Sequence, residues 1–181
     1  MGQYYKPMIL GDLSHVKITK NEFIRLWMDA FAYSNGSKLM EHSYLMNKLV
    51  SAFEYQISPE GRFYMSRCVW AGDYANKEND SDLNLYEMVE DDTTKLQQPP
   101  CYDTTCYRYI VNHTKKLYTD KQKLQSSIHP LPLLIAEGNG RGGGDYRGSD
   151  SELCGTWARD MVSVDRLYPQ GYTELICNFG E

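Results

Sequence analysis

No run of apolar residues approaches the roughly 18 that a membrane-spanning helix requires. Positive charge is not in excess either: Lys and Arg total 19 against 24 Asp and Glu, a net of −5. Such a chain repels a phosphate backbone, which argues against duplex DNA or long RNA as a partner. A few local basic residues still suffice to hold a small anion. The opening MGQYYKPMIL lacks the basic-then-apolar layout of a secretory leader, and the expected location is the cytoplasm. Cysteine is sparse: Cys68, Cys101, Cys106, Cys154 and Cys177 are odd in number and irregular in spacing. That argues against a disulfide framework and for reduced thiols. Cys101 and Cys106 form a Cys-x4-Cys pair, but zinc needs two further ligands and there is no second pair. No metal and no cofactor is expected. The chain also lacks a P-loop, a dinucleotide fingerprint, a Gly-x-Ser-x-Gly elbow, a His-Glu-x-x-His helix and an EF-hand loop. No catalytic signature names a nucleophile.

Tyrosine, by contrast, is plentiful. Its 15 copies outnumber the 5 Phe and 3 Trp together. An apolar ring with a polar tip suits sheet faces, half-buried walls and binding surfaces. The apolar fraction of 41% is enough for a core in one domain spanning 1–181.

Alternation and turn residues mark strands at 3–10, 15–19, 62–70, 107–111 and 116–119, with closing strands at 155–165 and 172–179, while 133–136 is apolar and buried. Residues 21–31 fit a helix or an extended piece. Leu39, Met46, Leu49, Val50, Phe53 and Ile57 recur at helical spacing and predict one amphipathic helix up to Ile57. Ser37 caps it, and Ser58-Pro59-Glu60-Gly61 ends it. A short helix is possible over 83–89. Residues 91–105 read as an exposed loop, and 112–115 as a hairpin connection. His129-Pro130-Leu131-Pro132 reads as stiff and extended. The fold class is α+β: a mainly antiparallel sheet of about six strands with one long helix packed on one face.

The most unusual segment is Gly-Asn-Gly-Arg-Gly-Gly-Gly-Asp-Tyr-Arg-Gly over 138–148. Ordering so many glycines costs entropy, so something must require them or the segment is a flexible loop. One requirement is repeated left-handed backbone in a tight turn. The other is a set of main-chain N–H groups converging on an anion. On the second reading Gly140, Gly142, Gly143 and Gly144 supply amides and Arg141 and Arg147 pair with phosphate. Asp145 and Asp73 accept from ribose or base donors, and Tyr74, Tyr146 or Trp157 stack on a base. Lys115 and Lys116, in Asn-His-Thr-Lys-Lys, add charge. Each has a plainer reading as a turn, cap or core residue. If the chain is an enzyme, His42, His113 or His129 does the acid–base work, with Glu41 or Asp73 as orienting carboxylate. Otherwise no residue is assigned a catalytic role.

Several segments taken in order, MGQYYK, KLMEHS, VWAGDYA, NHTKK, HPLPLL, the glycine run and Gly155-Thr156-Trp157-Ala158, resemble a family of short bacteriophage and bacterial proteins. The resemblance brings no activity and no catalytic residues. It implies a phage context, a host-cytoplasm location and, by analogy with other small phage proteins, interference with host defence. The expected function is sequestration of a small phosphorylated nucleotide, a cyclic dinucleotide or an ADP-ribose derivative, by a homo-oligomer. The alternatives are a metal-independent hydrolase of such a nucleotide and an inhibitor that binds a host protein.

Overall fold

The computed structural model describes residues 2–11, 23–79, 81–89, 104–139 and 144–180. Among the described residues eight strands form one mixed sheet: β1 (Tyr5–Leu10), β2 (Ile24–Trp27), β3 (Ser66–Gly72), β4 (Tyr109–Asn112), β5 (Leu117–Asp120), β6 (Ala136–Glu137), β7 (Met161–Asp165) and β8 (Thr173–Glu174). Their order is β2-β1-β3-β7-β4-β5-β8, with β6 also paired to β3. Most pairs are antiparallel; β3 with β6 and β5 with β8 are parallel. The α+β class and the mostly antiparallel sheet agree with the sequence reading. The expected strand at 15–19 lies outside the described residues.

The helical part differs. In place of one long helix there are α1 (Leu39–His42) and α2 (Lys48–Gln56), separated by a break. Asn47 causes the restart: its Oδ1 accepts from the N–H of Leu49 and Val50 at 2.9 and 3.3 Å, an N-cap. The break is tied down laterally, because Leu45 N donates to Ser127 O and His129 N to Ser43 O. Met46, expected on the buried stripe, takes a positive φ and is 58% exposed. Nor does α2 show one apolar face. Leu49, Val50, Ser51, Ala52, Phe53, Glu54 and Gln56 are all buried, because the helix is covered from several sides by β7 and by the turns Ala30–Tyr33 and Thr104–Cys106.

The apolar run at 130–134 is not extended but helical, α3 (Pro130–Leu134). Proline at a first helical position loses no hydrogen bond and has φ already set for a helix. His129 caps it through Nδ1, which accepts from Leu131 N at 3.2 Å.

The sheet has two apolar faces. On one, Ile9, Cys68, Trp70, Ile110, Val162 and Val164 meet α2 and α3, with Phe53 edge-on to Trp70 at 5.2 Å. On the other, Met8, Leu10, Val69 and Ala71 are covered by Leu85, Met88 and Val89. Farther along that face Tyr109, Val111 and Tyr118 pack together, with Tyr168 edge-on to both rings. Among the described residues no helix is long and apolar enough to cross a membrane.

Two fully buried histidines are built into the main core. His42 Nδ1 donates to Gly36 O at 2.9 Å, and Nε2 accepts the Trp70 indole N–H at 2.8 Å. His129 Nε2 donates to Glu54 Oε1 at 3.0 Å, and the same oxygen receives Lys121 Nζ at 2.5 Å. Each ring has one nitrogen that must remain an acceptor, so both are neutral. Burial lowers the pKa of both. The unfolded chain takes up these protons first, near the ordinary value of 6.5. Their stabilising contribution is therefore complete above that pH and is lost as pH falls below it. Burial raises the Glu54 pKa, but Lys121 and His129 outweigh it, and the net lowering adds further acid sensitivity below 4.5. The urea midpoint is expected to fall between pH 7.5 and pH 5; an unchanged midpoint contradicts the neutral assignments.

Candidate functional site

The carboxyl ends of the parallel neighbours β3 and β6 open onto one place, beside the start of β1. Asp73 and Tyr74 follow β3, Gly138 and Asn139 follow β6, and Gly144 and Asp145 return from the glycine run. Gly140, Arg141, Gly142 and Gly143 lie outside the described residues.

The stems of this loop are fastened by a polar knot centred on Gln3, which is 1% exposed. Its Oε1 accepts from the N–H of Asn139 and Tyr74 at 3.1 and 3.3 Å, and its Nε2 donates to the Tyr5 hydroxyl at 2.8 Å. Its main-chain N donates to Asp145 Oδ2 at 3.3 Å. The Tyr5 hydroxyl also accepts from Asp145 N at 3.0 Å. Burial, then the nearby Asp145 carboxylate, keeps that phenol protonated well above its ordinary range. Asn139 Nδ2 donates to Asp145 Oδ1 at 2.7 Å and so closes the loop across its base. The approach is close: a Cβ on Gly138 would lie 2.4 Å from the Gln3 carboxamide oxygen and 2.6 Å from the Tyr5 hydroxyl. On Gly144 it would lie 2.9 Å from Cys154 Sγ. At these two positions glycine is dictated by contact with the knot and the core.

Asp73 Oδ1 accepts from Tyr4 N at 3.0 Å, and Asp73 N donates back to Tyr4 O at 2.9 Å. The flanking rings of Tyr4 and Tyr74 stay in solvent, 44% and 49% exposed. Arg147 is exposed but folds over its own segment, its Nη1 donating to Gly144 O and Tyr146 O.

Other sequence candidates are used elsewhere. Tyr146 is buried edge-on to Phe179, and its hydroxyl bonds to Gly180 O and Gly180 N. Trp157, 1% exposed, belongs to the core and has no face open to a base. The turn between β4 and β5 carries Lys115, which pairs with Asp160, and Lys116, whose Nζ lies 4.9 Å above the Tyr172 ring and donates to its hydroxyl at 3.3 Å. No hydrogen bond among the described residues joins either lysine to the loop base. Glu41 is a capping residue: its Oε2 accepts from Lys38 N at 2.9 Å. His42 and His129 are the core histidines described above.

His113 sits in an arrangement that resembles a catalytic triad without its wiring. Its Nε2 lies 2.7 Å from Ser163 Oγ and its Nδ1 2.9 Å from the Tyr172 hydroxyl. Ser163 Oγ lies 2.6 Å from Asp165 Oδ2, and the Tyr64 hydroxyl donates to Asp165 Oδ1 at 2.9 Å. A contact that short to a carboxylate demands the serine proton. Ser163 therefore donates to Asp165 and accepts from His113 Nε2–H, and Tyr172 donates to Nδ1. In a nucleophilic triad the histidine takes the serine proton and the carboxylate orients the histidine. Here the carboxylate holds the serine proton, and Ser163 is fully buried. Burial lowers the His113 pKa; Asp165 opposes that shift and Lys116 reinforces it. The resulting chain of donors runs from Lys116 to Asp165 and commits both ring nitrogens of His113.

Sequence reasoning missed Gln3, Tyr5 and Asn139 as site residues. The available signal was a carboxamide at an inward position of an otherwise apolar strand, where a polar group must find partners. Among the described residues no group of three or more His, Cys, Asp or Glu side chains is arranged to hold a metal. No family model, curated protein or solved structure matches this chain.

Two outcomes follow from this geometry. Tyr5→Phe removes the acceptor of Asp145 N–H and the partner of Gln3, and should cost about 1–3 kcal/mol by urea denaturation. A fluorophosphonate probe of activated serines should leave Ser163 unlabelled in folded protein; stoichiometric labelling would show the opposite wiring.

Proposed function

We propose that the protein binds, without transforming it, a small phosphorylated nucleotide at the mouth of the 139–145 loop. A cyclic dinucleotide or an ADP-ribose derivative fits the reading. The observation that carries it is the knot at the loop base: Gln3, Tyr5, Asn139 and Asp145 hold the stems of a glycine-rich segment at fixed spacing. A fastened frame lowers the ordering cost that glycines otherwise impose on ligand capture. Phosphate is assigned in this reading to the main-chain amides of Gly140, Gly142 and Gly143 and to Arg141, all outside the described residues. The exposed Tyr4 and Tyr74 rings offer stacking surfaces worth about 1–3 kcal/mol per base. The carboxyl ends of parallel strands are also a recurrent place for nucleotides in open sheets.

Binding is favoured over hydrolysis by the state of His42, His113 and His129, each with both ring nitrogens committed to hydrogen bonds. The resemblance to short phage and bacterial proteins gives the role a setting: removal of a host second messenger in the infected cytoplasm. Tight capture requires most of the ligand surface to be covered, so a second copy closes over the site.

Native mass spectrometry of freshly purified protein tests the reading by its co-purifying mass and its oligomeric state. Heat release followed by chromatography should return an intact nucleotide; a smaller product means hydrolysis. Arg141→Glu combined with Arg147→Glu should abolish retention with the melting temperature unchanged. Unaltered retention in that variant removes the phosphate role from the loop.

A further inference from the structure

Behind the loop base lies a second set of charges that the function above does not use. Glu137 ends β6, immediately before Gly138 and Asn139, and is 2% exposed. Both its oxygens receive Arg159: Nε donates to Oε2 at 2.7 Å and Nη2 to Oε1 at 2.6 Å. The other side of the same guanidinium takes Glu78, 4% exposed, with Nη1 donating to Oε2 at 3.1 Å and Nη2 to Oε1. A planar fork engaged on two edges by two carboxylates is rigid in direction as well as in distance.

The place of Arg159 in the backbone is equally constrained. Its φ is +67°, the left-handed region that a side chain rarely adopts without compensation. Its N–H donates to Cys68 O at 2.8 Å, and its carbonyl accepts from Arg67 Nη1 at 3.2 Å. It therefore stands where the edge of β3 passes from β7 to β6: Cys68 N donates to Asp160 O, and Trp70 N donates to Ile135 O. One of its arms grips the segment that carries Asn139. The other grips Glu78, in the segment that leaves the turn at 72–75; that turn holds Asp73 and Tyr74 and is closed by Ala75 N bonding back to Gly72 O. The next residue, Asp160, takes Asn112 Nδ2 at 2.7 Å and Lys115, which links the β4–β5 hairpin to the same point.

We infer that Arg159 is the positioning residue of the loop base: by bridging Glu137 and Glu78 it sets the spacing between the Asn139 stem and the Asp73–Tyr74 wall. The inference deepens the proposed function and rests on it for its biological use, but its physical content concerns the protein without ligand. Lysine in place of Arg159 keeps the charge and reaches a single carboxylate. Glu78→Gln leaves the guanidinium and loosens one arm.

Hydrogen–deuterium exchange on Arg159→Lys and on Glu78→Gln, each against wild type, reads the effect directly. Exchange in 73–79 and 136–147 should rise about tenfold or more, the factor implied by losing one charge-assisted hydrogen bond, while exchange in 48–56 stays at the wild-type rate. Unchanged exchange in 136–147, or a rise matched in 48–56, overturns the positioning role and leaves a general structural ion pair. Glu78→Gln keeps the test decisive if Arg159→Lys fails to fold. Wild-type protein mixed with cyclic di-GMP or with ADP-ribose provides the separate control. Absence of protection at 136–147 there counts against the nucleotide reading, and the variant result stands on its own.

Discussion

The edge of β3 is shared, and the rest of the molecule is arranged around that sharing. Its first residues pair antiparallel with β7 and its last residues parallel with β6. A strand edge cannot carry two neighbours over the same residues, so the chain must leave one and enter the other within a few positions. Cys68 and Trp70 mark the handover. Several unusual features lie next to it: the left-handed Arg159, the paired Glu78 and Glu137, the carboxyl ends of two parallel strands, and Gly138 and Asn139, with which β6 enters the glycine run. A fork of this kind exposes main-chain groups and ends of strands, and the buried polar side chains satisfy them.

Those polar clusters also explain how the core tolerates so much charge. Glu54, Lys121 and His129 are removed from water together. Breaking such a group by removing one member leaves an uncompensated charge, and that cost exceeds any net gain from the intact set. Their effect is on specificity: α2, α3 and the turn after β5 fit together in the one arrangement that pairs these groups. Glu54 Oε2 has no hydrogen-bond partner among the described residues, so even this set is not fully satisfied and gains stability mainly from the apolar packing around it. The Trp70–His42 bond does the same for α1, locking a four-residue helix too short to stand on propensity.

What the sequence made legible was set by periodicity and punctuation. The segments at β1, β3, β4, β5 and β7 were visible because each is a short run rich in apolar, aromatic or β-branched residues bounded by turn residues, although most of their positions are buried on both faces. The split of the helix into α1 and α2 was hidden because Leu39, Leu49, Val50, Phe53 and Ile57 keep helical spacing across it; only the capping chemistry of Asn47 interrupts the pattern. At α3 the prolines pointed the wrong way, since the rule that proline stiffens extended chain gives way at the first turn of a helix. At the loop, composition drew attention to the glycines and to Asp145. It did not reveal the knot, whose members Gln3, Tyr5 and Asn139 are far apart in the chain and meet through tertiary contacts. Trp157 shows the converse: an aromatic near a motif is, by size alone, more often core than ligand surface.

On the proposed reading, the acidic residues at the loop base constrain how a nucleotide would sit there. Asp73 and Asp145 each direct an oxygen at a main-chain donor at the foot of the loop. A phosphate placed against these side chains would face acceptors of its own sign. Hydroxyl or amino donors of a ribose or base meet acceptors with spare lone pairs. On that reading a nucleotide would present its donor-bearing end to Asp73 and Asp145 and hold its phosphate away from them. Inorganic phosphate has no such end, so discrimination between a nucleotide and a simple anion would come from these two acidic residues rather than from the basic ones that first drew attention to the segment.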